Sequence, residues 1–121
     1  MSPPLGRLII YTKKIDEMVA FYCRHFGYVE SRIEGDRIVQ LTPSGTALPL
    51  LLHQAGNGQK VGQVLVKLVF DVADVAAFCA HAAENDLKFG PQHNADGYTF
   101  ANAKDPSGNP ISVSSRAFVI P

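Results

Sequence analysis

The sequence predicts an α+β chain of two tandem modules, each running strand, helix, then three shorter strands. Three observations predict it. An apolar strand candidate followed by an amphipathic helix occurs twice, the second copy starting about sixty residues after the first. The tripeptide Pro-Ser-Gly closes each copy, as Pro43-Ser44-Gly45 and Pro106-Ser107-Gly108, each time just ahead of an apolar run. Finally, 121 residues can bury one ordinary core but not two independent ones, so the halves are expected to share apolar surface within a single domain, 1–121. Module one is placed at 1–56, a linker at 57–62 and module two at 63–121.

The first strand is expected over Leu5 to Tyr11, a β-branched and aromatic run. A helix follows from Ile15 to Phe26, because Ile15, Met18, Val19, Tyr22 and Phe26 fall on one face of a 3.6-residue period. Gly27 then offers a left-handed stop. Strands are expected at Tyr28–Ile33, Arg37–Leu41 and Leu48–Gln54, the first two joined by a hairpin turn at Glu34-Gly35-Asp36. Gly56-Asn57-Gly58-Gln59-Lys60 is polar, glycine-rich and aperiodic, and marks the linker.

The second copy opens with a strand at Val64–Val72. Asp74 is placed to cap a helix from Val75 to Leu87, whose core face is Val75, Phe78, Cys79, Ala82 and Ala83. Strands at Tyr98–Ala103 and Pro110–Ser115 complete it, with a turn within Asn94 to Gly97.

Composition removes several classes of function. Eleven basic residues balance eleven acidic ones, and no Lys/Arg cluster lines an expected face, so nucleic acid is not an expected partner. No apolar run approaches the roughly 20 residues of a membrane span. Met1-Ser2-Pro3-Pro4 does not begin a secretory leader. A cytoplasmic protein is expected. Cys23 and Cys79, the only cysteines, sit in the helices beside apolar neighbours and read as reduced core thiols. Glycine-rich phosphate loops and nucleophile elbows are absent.

Phe21-Tyr22 with His25-Phe26-Gly27, and Asp105-Pro106-Ser107-Gly108-Asn109-Pro110 ahead of the last strand, sit in this duplicated frame. In these the chain resembles the vicinal oxygen chelate superfamily, which includes glyoxalase I, extradiol dioxygenases, and fosfomycin and bleomycin resistance proteins. The resemblance implies two βαβββ modules whose strands curl into an incomplete barrel around a cavity, within a homodimer. It also implies, for metal-using members, four His or Glu ligands contributed by the first and last strands of each module.

Carried onto this chain, those positions are Arg7, Leu50, Lys67 and Ser112, with the register at Leu50 open by one residue. Neither these residues nor their immediate neighbours offer an imidazole, carboxylate or thiolate. Arginine stays protonated and an ammonium repels a divalent ion. The resemblance thus implies a member without the metal ligands and without a cofactor.

Two cations in one cavity would need compensation, since burying an isolated charge costs several kcal/mol. They either receive a small organic anion, with Arg7 as a bidentate fork and Lys67 as a point charge, or pair with Glu30, Glu34 or Asp71, or reach solvent along the strands. His53 is either an acid–base group or the wet end of an apolar strand. Tyr98 and Phe100 share a strand face that either stacks on an aromatic ligand or packs in the core. His25, His81 and His93 read as surface groups.

Three functional readings stay open: a metal-independent protein that binds a small organic anion at Arg7, Leu50, Lys67, Ser112, His53, Tyr98 and Phe100; a lyase, isomerase or dioxygenase with metal ligands relocated to His53, His93 and Asp71; and a non-catalytic dimerisation domain. No catalytic residue is assigned. The small molecule itself is not specified by the sequence.

Overall fold

A computed structural model describes residues 4–63 and 65–119. The chain divides into two compact units, Met1–Val61 and Gly62–Pro121.

In the first unit the elements are β1 (Leu8–Thr12), α1 (Ile15–Phe26), β2 (Val29–Arg32), β3 (Ile38–Thr42) and β4 (Leu50–Gln54). They form one sheet in the order β1-β4-β3-β2. β1 runs parallel to β4, with Leu8 opposite Leu50 and Tyr11 opposite His53, and the other pairs are antiparallel. A parallel pair needs a long crossover, and α1 with the β2–β3 hairpin supplies it. The helix covers one face of the sheet. Met18, Val19 and Tyr22 are buried on α1, and Val39, Leu41, Leu50 and Leu52 are buried on the strands beneath it.

The helix occupies the predicted span, although Ile15 and Phe26 at its ends are only half-buried. Gly27 stops it at φ 71°, and its amide donates to the Tyr22 carbonyl. Any side chain at this left-handed position would be strained.

The second unit repeats the design with β5 (Leu68–Asp71), α2 (Val75–Glu84), β6 (His93–Asn94), β7 (Thr99–Lys104) and β8 (Pro110–Ser114), in the sheet order β5-β8-β7-β6. Again the first and last strands are parallel, Leu68 facing Ile111. A short 3-10 turn, Arg116–Phe118, follows β8. The architecture is therefore α+β in two modules, with two open four-stranded sheets, as the duplication predicts.

Asp74 caps α2, its carboxylate accepting from the Ala77 amide at 3.0 Å. The helix ends three residues earlier than its periodicity suggests. Asp86 adopts φ 69°, and the amides of Asp86 and Leu87 turn back to the carbonyls of Ala83 and Ala82 at 3.3 and 2.9 Å. This is the closing pattern that glycine usually provides, so Asn85-Asp86 hid it. Leu87 is still buried, but as part of the return rather than the helix, and Ala83 is exposed rather than in the core.

β5 begins at Leu68, and the expected strand start at Val64 lies outside the described residues, as does the segment Met1–Pro3. His93 belongs to β6 rather than to a loop, opposite Phe100. A two-residue strand is too short to leave a periodic signal.

The Asp-Pro-Ser-Gly-Asn motif is a turn held by one buried carboxylate. Asp105 accepts from the amides of Ser107 and Asn109 and from the side-chain amide of Asn109, each at 2.9 Å. Gly62, at φ 77°, packs so near that a Cβ there would lie 3.0 Å from the Ser107 carbonyl oxygen. This turn sets where β8 begins.

Replacing Asp105 by Ala should lower unfolding free energy in urea by about 2–3 kcal/mol, the scale of hydrogen bonds to a buried charged acceptor. Gly27→Ala should cost about 1–2 kcal/mol from the left-handed backbone alone. A midpoint unchanged in both variants would contradict this account of the two turns.

Candidate functional site

Alternation along each strand decides which residues share a face, and the pairing register carries that choice across the sheet. In the first unit Leu8, Ile10 and Thr12 lie on the helix side, while Ile9 and Tyr11 lie on the other and are 49% and 46% exposed. Arg7, two positions before Ile9, falls in the same row and is exposed. Opposite Ile9 and Tyr11 stand Leu51 and His53, and beyond them Gln40 and Ile38. This face carries no helix, although Leu51 on it is only 8% exposed.

Leu50 is not on it. Leu50 is 2% exposed and shares the helix-side row with Leu41 and Leu8. The register was one residue off, and Leu51 holds the open-face seat. In a strand that reads Leu50-Leu51-Leu52, nothing in the residue types distinguishes inside from outside.

His53 sits at the end of that open face, half-buried, with its ring centroid 5.2 Å from that of Tyr11. Its Nδ1 lies 2.9 Å from the Gln54 carbonyl. In the neutral ring this contact holds the proton on Nδ1 and leaves Nε2 as an acceptor.

On the second sheet the row equivalent to Arg7, Ile9 and Tyr11 is Lys67, Val69 and Asp71, with Val69 54% exposed. Ser112 stands opposite Val69 and Asn102, and Ser114 opposite Asp71 and Phe100. Ser112 is therefore on the open side, yet it is 3% exposed and its hydroxyl donates to the Ala101 carbonyl at 3.0 Å. Lys67 is exposed, and its Nζ donates to Asn102 Oδ1 at 3.0 Å.

The acids that might have neutralised these cations are engaged or apart. Glu30 pairs with Arg32 at 2.7 Å, and Asp16 joins the same guanidinium at 3.2 Å. Among the described residues neither Arg7 nor Lys67 enters an ion pair.

Tyr98 and Phe100 continue the open row of β7 and are half-buried. Two more residues join them: His93, which the sequence offered only as a surface group or a metal ligand, and Arg116, which sequence reasoning missed. His93 lies against Phe100 with centroids 5.1 Å apart, and Arg116 sits over the Tyr98 ring at 5.3 Å while its Nη1 donates to the Tyr98 hydroxyl at 3.3 Å. Neither carries a local signal: one is in the two-residue strand, the other in the turn after β8.

The histidines set aside as surface groups differ. His81 is exposed, with Nδ1 3.8 Å from Glu84. His25 is half-buried, its ring 5.0 Å from that of Phe21.

Metal chemistry finds little raw material. Asp71 and His93 stand on opposite edge strands of one sheet, three strand spacings or about 14 Å apart. Among the described residues no three His, Cys, Asp or Glu side chains are grouped to hold an ion. Nor is any described helix long and apolar enough to cross a membrane.

Cys23 and Cys79 are free thiols, half-buried rather than fully enclosed. Burial pushes both upward from the ordinary thiol range, with the Glu30 carboxylate adding to the effect at Cys23. Less thiolate is then present at any given pH. Alkylation by iodoacetamide at pH 8 should be at least about threefold slower in the native protein than in urea, and should accelerate as pH is raised further. Equal rates in the two states would refute this.

Comparison with known proteins follows the same lines. The sequence model of the glyoxalase/bleomycin resistance protein/dioxygenase superfamily matches residues 5–113. No curated protein shows a significant match. Among solved structures, the chain is similar to UcmS2, with a TM-score of 0.79 at 20% identity over 95% of this chain and 99% of the other. It is also similar to TnmS3, an antibiotic binding protein from Streptomyces sp. CB03234, with a TM-score of 0.75 at 22% identity over 93% and 96% of the two chains. A third likeness is to lactoylglutathione lyase from Agrobacterium tumefaciens, with a TM-score of 0.71 at 21% identity over 93% and 95%.

Proposed function

The chain belongs to the glyoxalase/bleomycin resistance protein/dioxygenase superfamily, and from that premise we propose that it captures a small organic anion without a metal. The observation that carries the reading is the pair of cations, Arg7 and Lys67, that stand at equivalent places ahead of β1 and β5, each leading the open row of its sheet and neither in an ion pair among the described residues. Arg7 supplies a planar fork suited to carboxylate or phosphate oxygens, and Lys67 a compact charge with further donors beyond its bond to Asn102.

A divalent ion does not fit these seats. A guanidinium and an ammonium repel it, Leu51 has no donor, and the Ser112 hydroxyl is committed to a backbone carbonyl. Small-molecule capture is also in keeping with TnmS3, an antibiotic binding protein of similar fold. Two free, half-buried thiols suit a reducing, cytoplasmic setting. The exposed edge strand β2, carrying Val29, is the kind of surface a homodimer would cover, and we take the working unit to be that dimer. Nucleic acid and membranes have no place in this reading.

In a thermal-shift panel, acetate, succinate, phosphate and 2-naphthoate should be compared from micromolar to tens of millimolar. An anion at ten times its Kd should add about 1.4 kcal/mol of stability. At least one of Arg7→Ala and Lys67→Ala should remove most of that gain. Should no anion in the panel raise the midpoint of the native protein, capture at these cations is wrong.

Elemental analysis tests metal independence separately. Protein purified without chelator should carry transition metal well below one equivalent. Stoichiometric nickel, zinc, manganese or iron that disappears in His53→Ala would reverse the assignment.

A further inference from the structure

The second open face is graded along its length. Lys67 and its partner Asn102 occupy one part of it. Two residues back along β7, a strand step of about 7 Å, the chemistry becomes aromatic. Phe100 lies between His93, at 5.1 Å, and Tyr98, at 6.3 Å, and the three rings are inclined to one another by only 32° and 37°.

These rings differ from the helix-side aromatic contacts in standing on the face without a helix rather than in tilt, since on the helix side Tyr22 and Phe26 also meet at 36°. There Tyr22 meets Phe21 and Tyr28 at 83° and 88°, and Phe78 meets Phe89 at 76°, edge to face, as core rings interdigitate. Cross-strand pairing sets His93 beside Phe100, and Tyr98 stands two residues before Phe100, so the three rings gather in one row on the face without a helix. Arg116 braces the outer ring through the Tyr98 hydroxyl and holds a positive charge at that end too. The only acid among the strand residues of this sheet is Asp71, two strand spacings or about 10 Å from Phe100.

We infer that the second unit's open face selects an aromatic anion, its ring system lying on Phe100 between His93 and Tyr98 and its carboxylate or equivalent group reaching Lys67. The inference rests on the capture reading above and narrows it to a ligand class. The charge complementarity is direct: a cation at the near end, another braced at the far end, and neutral amide and rings between. The spacing matters as well. An acid group about 7 Å from the centre of the stacked ring suits a fused bicyclic acid, or a single ring with a short arm, better than a compact acid such as acetate.

The test compares 2-naphthoate with decahydro-2-naphthoate, which share a charge and a bicyclic carbon skeleton and differ in the π system, by isothermal titration on the full chain. 2-Naphthoate should bind at least about tenfold more tightly, the scale of an aromatic stacking contact. Phe100→Leu and His93→Ser should each pull that ratio toward unity. The His93 variant changes an exposed side chain, so it serves even if the Phe100 variant folds poorly. Lys67→Met should weaken both acids. If both acids bind equally well, or the ratio survives both ring variants, the aromatic selection is refuted while anion capture stands. If neither acid binds, capture and selection fall together.

Discussion

Everything functional about this chain depends on each sheet having only one face covered by a helix. A strand carries side chains alternately up and down, and parallel pairing of the first and last strands locks the two central rows into a shared register. On the helix side that register assembles Leu41, Leu50 and Leu52 under Met18 and Tyr22 in one unit, and Ile111, Val113 and Ala101 in the other. The opposite rows cannot avoid being lined by the intervening residues. Arg7, Ile9 and Tyr11, and Lys67, Val69 and Asp71, are on the open faces because their neighbours are in the core.

The duplication gives both units one topology and lets their open faces diverge chemically. The first presents a cation, aliphatic residues and a histidine whose Nδ1 is tied to the Gln54 carbonyl. The second presents a cation, a buried hydroxyl, an amide and a row of rings. Nothing in the packing demanded this difference, since the open faces do not support the helices. Residues there are free to answer to a ligand, whereas a change at Leu52 or Val113 would open a void in a core.

Legibility in the sequence follows the same division. α1 was readable to the residue because a 3.6-residue apolar period is redundant, with Met18, Val19 and Tyr22 all repeating one message. The parallel pairs, by contrast, arise between strands some forty residues apart, and their register is a tertiary fact. Hence the register at Leu50 stayed open by one residue: in Leu50-Leu51-Leu52 inward and outward residues are chemically identical, and only the pairing of Leu51 with Ile9 distinguishes them. Arg7, Lys67 and Ser112 were reached through the family resemblance, Arg7 and Lys67 lying one residue ahead of β1 and β5. The placing of His93 and Arg116 was not legible, because β6 is two residues long and the 3-10 turn has no period. Asp86, in place of glycine, likewise concealed the end of α2.

The residue types on the open faces also bear on whether such a protein would turn its ligand over. Catalysis requires interactions stronger in the transition state than in the ground state. A metal ion supplies them readily, because charge that develops on a bound oxygen meets a Lewis acid poised for it. A guanidinium, an ammonium and a ring platform bind reactant and transition state alike only where they meet charge and shape that the free ligand already possesses. Binding of that uniform kind tightens the complex without lowering the barrier. On the proposed capture reading these residues serve to hold a molecule rather than convert it, and that reading would account for Arg7, Lys67 and the aromatic row.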